Sequence, residues 1–147
     1  MNRLKSILAM LAFAVLAIAC QKEQSGTQVE YLDVTPNNIS GKWKLVEWNG
    51  EPLAGGTYFY IEFVRKDRTF TIWQNFDSMG QMPHEVTGEY NVIKDYQGSY
   101  LRGMYDNAEG YWAHDYYVLD LTATSMTMVA LDDETFVQKF IRVNPLP

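Results

Sequence analysis

The sequence predicts an all-β domain folded as a single eight-stranded antiparallel up-and-down β-barrel. Three observations carry that expectation. From Gly41 onward apolar and polar residues alternate with a period of two. Turn signals recur about every ten residues. Aromatic residues make up 14% of the chain, more than a small helical bundle usually carries, and broad rings suit a pleated surface. Eight successive strands with short links can close on themselves, which removes exposed edges.

The first nineteen residues are expected to be an address and not part of the fold. Arg3 and Lys5 form a positive start, an apolar run from Ile7 to Ala17 follows, and small Ala17 and Ala19 precede Cys20. That run is too short to span a bilayer comfortably. Leu16-Ala17-Ile18-Ala19-Cys20 resembles the bacterial lipobox, with Ala17 standing where Leu is commoner. The resemblance implies that the signal is cut before Cys20 and that its thiol is acylated, anchoring the protein to membrane through covalent lipid. Lys22-Glu23 resembles the surface-export signals of Bacteroidota lipoproteins, and the expected location is the outer membrane, on its periplasmic or surface face. Polar residues 20–37 are expected to form a tether, and residues 38–147 the barrel.

Eight strands are expected at residues 42–48, 57–64, 69–75, 85–92, 99–105, 111–119, 125–131 and 135–142. Phe59, Ile61 and Phe63 alternate with Tyr58, Tyr60 and Glu62; Val86, Gly88 and Tyr90 alternate with Thr87 and Glu89; Met126, Met128 and Ala130 repeat the pattern. In the sixth strand Tyr116-Tyr117-Val118-Leu119 is apolar throughout, so either register can face inward.

Gly41-Lys42-Trp43 at the start of the first strand and Phe140-Ile141-Arg142 in the last resemble the G-x-W motif and the closing Arg of lipocalin-like barrels. Residues 63–70, 88–90 and 121–128 are similar to Bacteroidota lipocalin-like lipoproteins, and the likeness spans about residues 40–143. It implies that Gly41, Trp43 and Arg142 seal one end, the guanidinium lying over the indole as a cation–π lid worth about 0.5–2 kcal/mol. A barrel of this size is either filled by side chains or holds one small ligand.

A meander sends alternate loops to opposite ends. Residues 49–56, 76–84, 106–110 and 132–134 then share a mouth rich in Asp and Glu, while Arg65, Lys66, Arg68 and Lys94 lie at the other end with Trp43 and Arg142. Aromatic and Met side chains also collect at the mouth. The candidate ligand-binding residues are Glu47, Trp48, Tyr58, Gln74, Met79, Met82, Tyr105, Tyr111, Phe136 and Gln138, suited to a small apolar or amphipathic molecule. Glu47 has two readings: an inward carboxylate in a wet cavity, or an outward one turned by a bulge after Leu45. Gly103 leaves room beside Tyr105. The alternative function is contact with an envelope protein or glycan around a filled barrel, through outward Tyr60, Trp73, Tyr100, Trp112 and Tyr116.

Other classes find little support. One Cys allows neither an intrachain disulfide nor a multi-thiolate metal site. His84 and His114 are the only histidines, and no nucleophile elbow, phosphate loop or metal-binding His motif is present. The acidic runs at 106–109 and 132–134 are expected as solvated turns. No enzyme activity, metal or cofactor is therefore expected. Removing Arg3 and Lys5 with the signal leaves ten basic against eighteen acidic side chains, a formal charge of −8, which disfavours nucleic acid.

Overall fold

The computed structural model describes residue 26 and residues 28–76, 79–107 and 110–143. Cys20 and the expected export signal lie outside the described residues. A short helix, α1 (Pro36–Ile39), precedes the strands β1 (Gly41–Trp48), β2 (Glu51–Pro52), β3 (Phe59–Val64), β4 (Thr69–Gln74), β5 (His84–Lys94), β6 (Ser99–Tyr105), β7 (Tyr116–Leu119), β8 (Ser125–Ala130) and β9 (Val137–Val143). Each of β3 to β9 pairs antiparallel with the next, and β9 returns to β1, which also pairs with β3. This closes an eight-stranded up-and-down barrel. The two-residue β2 is an addition that pairs with the end of β1.

The sixth expected strand is shorter than its sequence suggested. Regular pairing covers only Tyr116–Leu119; upstream, Tyr111 makes an isolated bridge to Met104. Val118 is buried, which settles the register. Tyr117 faces out, its hydroxyl donating to Asp95 at 2.9 Å.

The ladder between β1 and β9 shifts register between Leu45 and Glu47. Val46 is the extra residue of a β-bulge, and such an insertion reverses which side chains face inward beyond it. Trp43 and Leu45 are buried before the bulge, and Trp48 packs against the core after it.

One end of the barrel is packed solid. Trp43, Phe63, Phe70, Tyr90 and Phe140 are its largest fully buried side chains, and Ile39 of α1 is fully buried with them. The Arg142 guanidinium lies 4.0 Å from the centre of the Trp43 ring. It donates to the carbonyls of Ser40, Asn38 and Ala123, the last two at 2.7 and 2.8 Å. The indole nitrogen of Trp43 donates to Ile39 O at 2.8 Å. Gly41 sits at φ 112° with Arg142 Nη1 2.9 Å from where a Cβ would be, so both its backbone and the cation beside it demand glycine.

The expected tether is partly structured. The Leu32 amide donates to Leu121 O at 2.8 Å, the Asn38 amide to Thr35 Oγ1 at 3.2 Å, and Leu32 and Val34 pack against the core. Isolated apolar residues among polar ones show no periodicity, so docking across the barrel end leaves little mark in the sequence.

Candidate functional site

The opposite end of the barrel is hollow. A cavity of 410 Å³ opens there, lined by side chains from most of the strands. The strand register layers it. Ile61 pairs with Ile72, and Phe59 with Gln74 one layer nearer the mouth; Gln138 pairs with both Trp48 and Met128. Ile61, Ile72 and Phe140 thus make an apolar floor, below which the barrel is filled. Above them Trp48, Phe59, Gln74, Met128 and Gln138 form a collar, and Phe76, Trp112, Tyr116 and Phe136 complete the wall.

The collar rings touch one another. Trp48 meets Phe76 and Phe136 edge-on at centroid distances of 5.1 and 5.0 Å. Phe136 lies 4.9 Å from His114 and 6.1 Å from Tyr116, and Tyr116 lies 6.1 Å from Trp112. The three edge-to-face pairs among them, Trp48 with Phe76 and Phe136 and Trp112 with Tyr116, each contribute about 0.5–1.5 kcal/mol beyond burial. They hold the wall in shape without filling the space it encloses.

Polar groups are few. Gln74 and Gln138 are buried and reach the cavity wall. At the rim His114 Nδ1 is 2.7 Å from Asp132 Oδ1. Burial pushes the Tyr116 hydroxyl up from its usual range, with Tyr105 and Asp132 adding to the effect. None of the described residues lining the cavity is Lys or Arg, and no three described His, Cys, Asp or Glu side chains gather as a metal site requires. His114 faces the cavity while Asp115 faces outward to a bidentate pair with Arg102, closest at 2.6 Å.

Five of the sequence-selected ligand candidates come together in the wall: Trp48, Gln74, Tyr105, Phe136 and Gln138. Four others do not. Glu47, turned outward by the bulge, pairs with Lys139 at 2.6 Å, so the inward reading of this carboxylate is corrected. Tyr58 rests beside Tyr60, centroids 5.9 Å apart, and is not part of the wall. Met82 and Tyr111 are 67% and 65% exposed, because the loops carrying them lie beyond the rim. For Met79 only the backbone, in a single 3-10 turn, is described.

Trp112 and Tyr116, outward in the alternative reading, line the cavity. The Trp112 amide donates to Gly103 O at 2.9 Å, which sets the indole on the inner face over Gly103, where a Cβ would lie 2.0 Å from the ring. Gly103 was the readable signal: a glycine inside a strand marks the close approach of another group. The room expected beside Tyr105 is filled by this indole. Phe76, His114 and Met128 are further wall residues outside the original candidate set; Phe76 and His114 lie outside regular strands, where alternation carries no information.

Eight meandering strands, a sealed end with Arg142 over Trp43, and a cavity at the other end define a lipocalin-like barrel. Compared with known proteins, the chain matches no family model and no curated relative. Among solved structures it is similar to the crystal structure of a lipocalin-like protein from Bacteroides uniformis, at 14% identity and a TM-score of 0.49, covering 73% of this chain and 99% of that one.

Proposed function

We propose that this chain is a non-catalytic, lipid-anchored protein of the bacterial cell envelope whose barrel binds a small apolar or amphipathic molecule. The observation that carries the reading is the cavity: 410 Å³ with an apolar floor and aromatic wall, within the size range of ordinary ligand pockets. Two buried glutamines beside it supply fixed hydrogen-bonding groups for orientation. Mass spectrometry of extracts from natively purified protein, combined with displacement of an apolar fluorescent dye, tests it. Stoichiometric dye uptake reversed by the extracted compound is expected; absence of uptake overturns the reading.

The anchoring rests on the lipobox-like residues before Cys20. Multiple acyl chains would hold durably, since each buried CH₂ contributes about 0.8 kcal/mol. Cys20→Ala should release the protein from outer-membrane fractions into the soluble periplasm, and continued retention would refute the assignment.

A second reading, an interaction module for an envelope protein or glycan, is favoured by one feature of the outer wall. Tyr60 and Trp73 are cross-strand neighbours, with Lys42 Nζ 3.9 Å from the Trp73 ring centre and Glu85 accepting from the indole at 2.7 Å. Loss of a pulled-down partner on Trp73→Ala, with dye uptake unchanged, would favour it.

A further inference from the structure

We infer that the cavity selects by charge: it takes amphiphiles with an organic ammonium head group and disfavours carboxylates such as free fatty acids. This rests on the ligand-binding reading above and adds the chemistry of the head group.

The layering sets the orientation of a bound amphiphile. Ile61, Ile72 and Phe140 form a floor with no polar group, so a hydrocarbon tail belongs there. The head then lies at the collar and the wall above it, among Trp48, Phe76, Phe136 and Tyr116. Ring faces attract a quaternary or protonated ammonium within about 6 Å through the negative face of the π-system. They offer a carboxylate no such attraction.

The field at the mouth has the same sign. By sequence, loops 49–58, 75–83, 106–114 and 131–136 hold seven acidic residues and no Lys or Arg. Asp132 is in contact with the wall through His114. Arg102 and Lys139 pair on the outer surface with Asp115 and Glu47. Arg142 is sealed beneath Trp43 and spent on three carbonyls. An anionic head would therefore lose its hydration without meeting a counter-charge, which is costly in a partly desolvated site. The amides of Gln74 and Gln138 provide neutral hydrogen-bonding capacity and do not reverse the sign.

The test uses three probes that share a ten-carbon chain, against the domain secreted without Cys20 and, in parallel, against the detergent-free full-length protein in vesicles of zwitterionic lipid. Decyltrimethylammonium, decanol and decanoate displace an apolar dye at pH 8 and low ionic strength. The ammonium is expected to bind about tenfold tighter than the carboxylate, equivalent to about 1.4 kcal/mol, with the alcohol between them. The ratio should shrink in 0.5 M salt, where surface charges are screened, and in Asp132→Asn combined with Glu134→Gln. A carboxylate that binds as tightly as the ammonium, or tighter, overturns the charge selection while leaving the cavity reading intact. Failure of all three probes overturns both.

Discussion

The two ends of this barrel are made by the same strands and lined alike by aromatic and aliphatic side chains, yet one is solid and the other hollow. At the sealed end Trp43 is enclosed by Ile39, by the Arg142 guanidinium at 4.0 Å and by neighbouring aromatic rings. At the mouth Trp48 meets Phe76 and Phe136 edge-on and leaves space beside it. The difference lies in the plug. The N-terminal segment and α1 cross the sealed end and supply carbonyls for the cation. Among the described residues, the loops at the other end supply aromatic edges and acidic groups but no helix or strand that crosses the barrel opening. Close packing is therefore concentrated at one end, and open volume at the other.

The sharpest way to break this contrast is Trp43→Ala. It empties a fully buried site and strips Arg142 of its ring, and should cost about 3–5 kcal/mol in denaturant unfolding. A loss under 1 kcal/mol would mean that the sealed end is not the stabilising half. Gly103→Ala comes next. The new methyl collides with the Trp112 indole, with an expected cost of about 1–3 kcal/mol and weaker dye binding as the ring is driven into the cavity. Unchanged dye affinity would show that Trp112 does not shape the wall.

Phe136→Ala should be milder for folding, about 1–2 kcal/mol, because the ring is only partly buried. Dye binding should nevertheless fall several-fold, whereas an equal-cost substitution at the sealed end should spare it. On the outer wall, exchanging Glu47 for Gln and Lys139 for Met together should change stability by only about 0.2–1 kcal/mol and leave dye binding intact. Dye loss in that pair would reinstate Glu47 as a cavity group.

The smallest expected effect is a pH dependence at the mouth. The Thr135 hydroxyl and amide hold the Asp133 carboxyl below its ordinary value. A lowered folded value means a stabilisation present above the unfolded carboxylate range and lost as pH falls through the folded value. Thr135→Val should flatten the acid limb of the stability profile slightly.

Much of the fold was legible because alternation is a local property. Phe59-Tyr60-Ile61 declares an inward and an outward face whatever the rest of the chain does, and β3, β4, β6 and β8 fall within a few residues of expectation. Gly41, Trp43 and Arg142 were legible as a set through their resemblance to the motifs of lipocalin-like barrels, whose physical basis is a glycine backbone and a cation–π contact. The acidic mouth followed from strand order. Other features depend on pairs of strands or on the whole barrel. The bulge at Val46 is a mismatch between β1 and β9, and it exchanges Glu47 for Trp48 on the inner face. Trp112 turns inward because the glycine that accommodates it lies on another strand. The sequence by itself determined most of the strands, the inner face of those with clean alternation, and which loops carry the acidic residues. Only the tertiary structure decided that the mouth is hollow, because empty volume is what remains after the side chains of eight strands have been packed together.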